Sequence, residues 1–197
     1  YALSYAEAQA IVEGKAPSGA HSSAIEMMSD LKNLQRMGRW LRSQRLAKGA
    51  LEIESFEAQF NVEDRGGGLS IDMELHEDLE FHSIVAELMI AANSVVAQKI
   101  WECYPANALL RRHLPPDPHK FLELQQMVEL LGGRLDSSSN KALATSMRNF
   151  SSSIKDEWVA RVINSFTARC LTKALYICSA GMSPEQFSHY GLAAEFY

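Results

Sequence analysis

Two stretches of this chain are periodic over helical lengths, and they constrain everything around them. Ile25, Met28, Leu31, Leu34, Met37 and Leu41 recur at spacings of three and four. That spacing lines one face of an α-helix, and Gly49 is placed to stop it. Lys32, Arg36, Arg39, Arg42, Arg45 and Lys48 give the same helix a basic side. A second long helix is expected from Glu77 to Glu102, with Leu79, Ile84, Leu88, Ala92, Val95 and Val96 apolar and Pro105 just beyond its end. A chain of 197 residues, 47% of them apolar, has enough material to cover both faces in one sizeable core.

The remaining segments are shorter. Tyr1 to Leu3 could end a strand. Ser4 and Glu7 fit a capping box, so a helix is expected over Tyr5–Glu13. Gly14 to Ser23 is a loop. Leu51–Ile53, Ala58–Val62 and Leu69–Leu75 read as strands, with Arg65-Gly66-Gly67-Gly68 turning into the last of them. Ala108–His113 reads as an extended segment before Pro115, Pro116 and Pro118. Three further helices are expected: His119–Leu131, Lys141–Asn149 and Ile154–Ser179. Trp158, Phe166, Cys170, Tyr176, Cys178 and Met182 are read as core. No linker divides the chain. The expectation is α+β: a mainly helical segment with a few short strands, in one domain over residues 1–197.

The charge balance excludes a generic nucleic-acid binder. The net charge is −5, whereas such proteins are usually basic. Any contact with a polyanion must therefore be local, or be supplied by parts outside this sequence. Cys103, Cys170 and Cys178 have no metal-like spacing and read as reduced, mostly buried thiols of an intracellular protein. No apolar run reads as long enough to span a bilayer, and no signal peptide opens the chain. Both ends read as cut from something longer.

Five motifs then appear in a fixed order. Leu3-Ser4-Tyr5-Ala6-Glu7-Ala8-Gln9 comes first. Leu41-Arg42-Ser43-Gln44-Arg45 with Gly49-Ala50-Leu51 is similar to an "LR..R…GAL" stretch. Val85-Ala86-Glu87-Leu88-Met89-Ile90-Ala91-Ala92-Asn93 resembles "VEEFMILAN". Ala108-Leu109-Leu110-Arg111-Arg112-His113 with Pro115-Pro116 resembles "ALLRRHPPP". His189-Tyr190-Gly191-Leu192-Ala193 resembles "HYGLA". Together these resemble the catalytic domain of ribonuclease II (RNB) family 3′→5′ exoribonucleases, on the eukaryotic branch of the exosome's catalytic subunit and its exosome-independent relative. The resemblance covers the chain nearly end to end and makes it a partial RNB domain.

The resemblance implies Mg²⁺-dependent, processive hydrolysis of single-stranded RNA to nucleoside 5′-monophosphates in the nucleus, the cytoplasm or both, with the RNA exosome core as a partner. It places the metal-holding Asp cluster before Tyr1 and an arginine segment after Tyr197. Asp64, Asp72, Asp78, Asp117, Asp136 and Asp156 are scattered and form no such cluster. The isolated segment is expected to be inactive and to form walls of the RNA channel. A degenerate RNB-like domain that binds RNA or acts as a scaffold is the alternative.

The resemblance also proposes residues. Tyr5 aligns with a tyrosine that contacts RNA near its 3′ end; the other reading is a half-buried packing ring. Ile53 matches a position that packs on the terminal base, or is an ordinary strand core residue. Ala86 is the departure: the family has two successive glutamates there, and this chain keeps only Glu87. Asn93, seven residues on, either reaches RNA or ties down backbone. Arg111, Arg112 and His113 form a dense basic cluster suited to phosphate, or a solvated surface. His189 and Tyr190 contact RNA or brace the site, and Gly191 allows close backbone approach.

Overall fold

The computed structural model describes residues 2–15, 23–52, 58–64, 69–75 and 79–197. Ile53 and the Arg65–Gly68 turn lie outside the described residues. The order is α1 (Tyr5–Val12), α2 (Ser23–Ala47), β1 (Ala58–Asp64), β2 (Leu69–Leu75), α3 (Glu80–Cys103), β3 (Leu109–Arg112), α4 (Pro118–Leu130), α5 (Asn140–Ser153), α6 (Glu157–Cys170) and β4 (Leu175–Cys178). Two 3₁₀ turns follow, at Pro184–Gln186 and Tyr190–Leu192. The α+β expectation, mainly helical with short strands, holds.

Helix α1 starts where its capping box is complete: the Glu7 N–H donates to Ser4 Oγ at 3.2 Å, and the Ser4 N–H to Glu7 Oε2 at 2.7 Å. It buries Ala8 against Phe81 and Ile84 of α3, with Leu31 of α2 and Leu88 packed alongside. Helices α2 and α3 approach closely at Gly38, where an added Cβ would stand 2.8 Å from Ile84 Cγ2. Helix α2 ends at Gly49, whose φ of +102° suits glycine.

A second cluster joins Ala97, Ala108, Leu110 and Phe187, flanked by Trp101 and Phe196. The largest gathers Phe121, Leu124 and Val128 of α4, Leu143, Met147 and Phe150 of α5, and Ile163 of α6. Strands β1 and β2 form one antiparallel hairpin; β3 and β4 form another, with Leu110 opposite Ile177.

Four expectations are corrected. Ala2–Ser4 and Leu51–Glu52 are not strand. The helix expected over Ile154–Ser179 is instead α6 followed by β4. Asp156 caps α6 by accepting from the Trp158 N–H at 2.9 Å, and the chain then turns back to pair with β3. Residues read as core are exposed: Trp158 and Phe166 lie beside the buried stripe of Ile163, Thr167 and Cys170 on α6, and Tyr176 and Cys178 alternate with Ile177 on β4. Cys103 and Cys178 are exposed, and only Cys170 is buried. Finally, α3 is by length and composition apolar enough to cross a membrane, contrary to the sequence reading. It buries Phe81, Ile84 and Ala97 and forms a salt bridge to α2, while Met89, Val95 and Val96 are exposed among the described residues.

Candidate functional site

The residues singled out by sequence converge along one side of α3. Residues four and seven apart share a helix face, which aligns His82, Ala86, Met89 and Asn93. Tyr5, at the first position of α1, sets its ring edge-on to His82 with centroids 4.4 Å apart. At the other end Asn93 Nδ2 donates to the Tyr197 hydroxyl at 3.2 Å. The Tyr197 ring lies 5.3 Å from that of His189, and its carbonyl accepts the Arg111 N–H at 2.6 Å. Ala86 is exposed between these ends. From His82 to Asn93 the line runs about 16 Å at 1.5 Å per residue.

Glu87, the adjacent residue, has the opposite fate. It is 5% exposed and pairs with Arg45 of α2, whose Nε lies 3.0 Å and Nη2 2.5 Å from its two carboxylate oxygens. Sequence reading placed Arg45 on the basic side of its helix but did not pair it with Glu87. A signal was present: each is a charge at a position where two long helices must meet. Beside the pair is a cleft of about 290 Å³ between α2, α3 and the 192–196 segment, lined by Arg45, Lys48, Glu87, Ser94, Ala193 and Phe196. His82, the ring against Tyr5, was also missed.

Arg112 is turned away from Arg111 and His113, and His113 is withdrawn into the interior. Successive strand residues point to opposite faces. Arg111 faces outward with its guanidinium 5.9 Å from the Tyr176 ring centre, and Arg112 shares the side of Leu110. His113 is buried; its Nε2 donates to the Thr172 carbonyl at 2.8 Å and its Nδ1 accepts the Gly191 N–H at 3.0 Å. Both ring nitrogens are thus used within the chain. The ring is neutral in this arrangement, and burial, opposed by the Thr172 bond and aided by the Arg111 charge, holds its pKa below the usual histidine value.

The "HYGLA" segment is held against this histidine. The Tyr190 N–H donates to the His113 carbonyl at 2.9 Å, the Gly191 carbonyl accepts the Leu51 N–H at 3.0 Å, and Asn140 Nδ2 donates to the Tyr190 carbonyl at 2.8 Å. A Cβ on Gly191 would stand 3.1 Å from His113 Nδ1, so glycine permits the approach that makes the hydrogen bond. His189 is buried 4.9 Å from His113, centroid to centroid, and its Nδ1 accepts the Leu192 N–H at 3.3 Å. Burial first, then electrostatic repulsion by a proton on the neighbouring His113 ring and by the Arg111 charge, push its pKa down to about 4. Burial raises that of the Tyr190 phenol.

This arrangement can stack rings and offer hydrogen bonds. Among the described residues no three or more His, Cys, Asp or Glu side chains converge where a metal could be held. These residues therefore do not fit Mg²⁺, and no step is derived through it.

The RNB domain family model matches residues 1–197. "Exosome complex exonuclease RRP44 homolog A" of Arabidopsis thaliana is 34% identical over 196 residues, which cover 100% of this chain and 20% of the relative. Mycoplasma genitalium RNase R in complex with ribose-methylated single-stranded RNA superposes with a TM-score of 0.76 at 18% identity, over 99% of this chain and 29% of that one. Yeast Ssd1, described as a pseudonuclease, superposes at 0.66 with 21% identity, over 99% and 22%. The chain thus spans about a fifth of the length of the curated relative it matches. Matched along its whole length by that model, the chain belongs to the RNB domain family.

Proposed function

We propose that the protein containing this chain is a processive 3′→5′ exoribonuclease that degrades single-stranded RNA to nucleoside 5′-monophosphates inside the cell, with the exosome core as a partner. The described residues supply RNA-channel wall, and Mg²⁺ is held by residues elsewhere in the protein. One observation carries this reading: Tyr5 of α1, distant in sequence, meets the α3 line that carries Ala86 and Asn93, with an aromatic ring at each end. Tyr5 and His82 offer a stacking edge, worth about 1–3 kcal/mol per base. Asn93 offers an amide to a ribose or base.

The test uses the full-length protein and a 3′-extended, labelled oligoribonucleotide with Mg²⁺. Stepwise shortening from the 3′ end with nucleoside 5′-monophosphate release is expected. Tyr5→Ala should slow removal of the last few nucleotides, and the 197 residues alone should cleave nothing. Binding without shortening would instead support the second reading, a degenerate domain that holds RNA or acts as a scaffold. Ala86, where the family places a carboxylate, favours that reading. The fold cannot choose, since a pseudonuclease shares it.

A further inference from the structure

Helix α6 turns an unusual face outward. Trp158, Val162 and Phe166 recur every four residues on it, and all three are exposed, Trp158 by 60%. The buried stripe of Ile163, Thr167 and Cys170 runs beside them, with Cys170 one turn beyond Phe166. Arginines cover the two rings. The Arg161 guanidinium carbon lies 5.5 Å from the Trp158 ring centre and that of Arg169 5.7 Å from the Phe166 ring centre. The same pairing recurs on the outer side of β4, where Tyr176 is 73% exposed with Arg111 beside it. No acidic residue occurs from Trp158 to Pro184, in a chain whose net charge is −5. Positive charge and exposed rings are therefore concentrated together against the trend of the molecule.

Base faces stack on aromatic rings, and guanidinium groups stack on rings while pairing with phosphates. A ligand complementary to alternating rings and cations carries π-faces and negative charge in alternation. We propose that the outward face of α6 is a second contact for single-stranded RNA, with Trp158 and Phe166 taking bases and Arg161 and Arg169 taking phosphates. It belongs to a different helix from the α3 line. The inference rests on the reading that the protein handles RNA.

The test compares two RNAs on the full-length protein: one of a few nucleotides, and a long unstructured one. Trp158→Ala with Phe166→Ala should weaken binding of the long RNA by roughly tenfold per ring. Arg161→Gln with Arg169→Gln should flatten the slope of log affinity against log salt by about 0.7 for each arginine. Trp158→Phe should retain the affinity. Trimming of the short RNA should not change in any of these variants. Unchanged affinity and salt slope for the long RNA in the four-residue variant, with short-RNA trimming intact, would overturn the proposal while leaving the exoribonuclease reading standing. A lowered unfolding temperature with unchanged RNA affinity would mark the face as a protein-packing surface and overturn it equally. If the wild-type protein neither binds nor trims RNA, the functional reading fails and this contact falls with it.

Discussion

Ala86 and Glu87 are neighbours in the chain, about 100° apart around α3, and they stand for two kinds of region in this molecule. On Glu87's side, polar groups are buried and satisfied within the chain: Glu87 by Arg45, His113 by Thr172 and Gly191. On Ala86's side, Tyr5, His82 and Asn93 keep their polar and aromatic groups near solvent. The buried set fixes geometry, because a charge or imidazole without its partner in the interior is costly. The exposed set carries no such constraint from burial. Glu87 cannot serve as the carboxylate missing at position 86. Turning it toward Ala86's side would break a two-pronged ion pair and leave the half-buried Arg45 without that partner.

The largest effect expected is therefore on the buried side. Glu87→Ala should cost about 3–5 kcal/mol of stability, since it strands the Arg45 charge. Replacing both partners by Met and Leu should recover much of that loss. Urea unfolding of the three species measures both, and a loss under 1 kcal/mol in the single variant would remove the pair from the fixed set.

The next effect is on pH dependence. Both His113 and His189 have pKa values held below the ordinary 6.5, that of His189 at about 4. The unfolded chain then binds protons that the folded chain refuses between pH 6.5 and pH 4. Their contribution is fully present above about pH 6.5 and is lost as pH falls toward 4. Unfolding midpoints should fall across that window, and His189→Gln should flatten the dependence. A smaller loss, about 1–3 kcal/mol, is expected for Gly191→Ala, whose added Cβ must push a histidine held from both sides.

Much of the fold was legible because its signals are local. The Ser4–Glu7 box, the glycine stop after α2 and the long period of α3 need only neighbouring residues. The strand β4 was not legible. Leu175–Cys178 continues an apolar run and becomes strand only because Leu109–Arg112, more than sixty residues earlier in sequence, offers an edge. The same limit explains the site. Motif order singled out Tyr5, Ala86 and Asn93, but the basic cluster expected at 111–113 is broken because alternation turns Arg112 away from Arg111 and burial withdraws His113. Trp158 and Phe166 read as core because a hydrophobic period says nothing about how many partners a helix has.

The smallest effect on folding, and the sharpest on the comparison, is expected from Ala86→Glu. Ala86 is exposed, and surface substitutions of this kind usually change stability by no more than about 0.5 kcal/mol. Helix propensity adds only a few tenths. The side chain would project from α3 between the Tyr5–His82 pair and the Asn93–Tyr197 pair. If that line holds the 3′ nucleotide, the new carboxylate can accept from a ribose hydroxyl. A hydrogen bond to a charged group contributes about 1.5–3 kcal/mol, so binding of a short RNA should tighten roughly ten- to a hundredfold. Thermal unfolding and single-turnover trimming on the full-length protein separate the outcomes. Tighter binding with unchanged stability would place the RNA end on Ala86's side of α3. A drop of several kcal/mol with no change in trimming would show that other parts of the protein cover this side, leaving both faces of α3 structural.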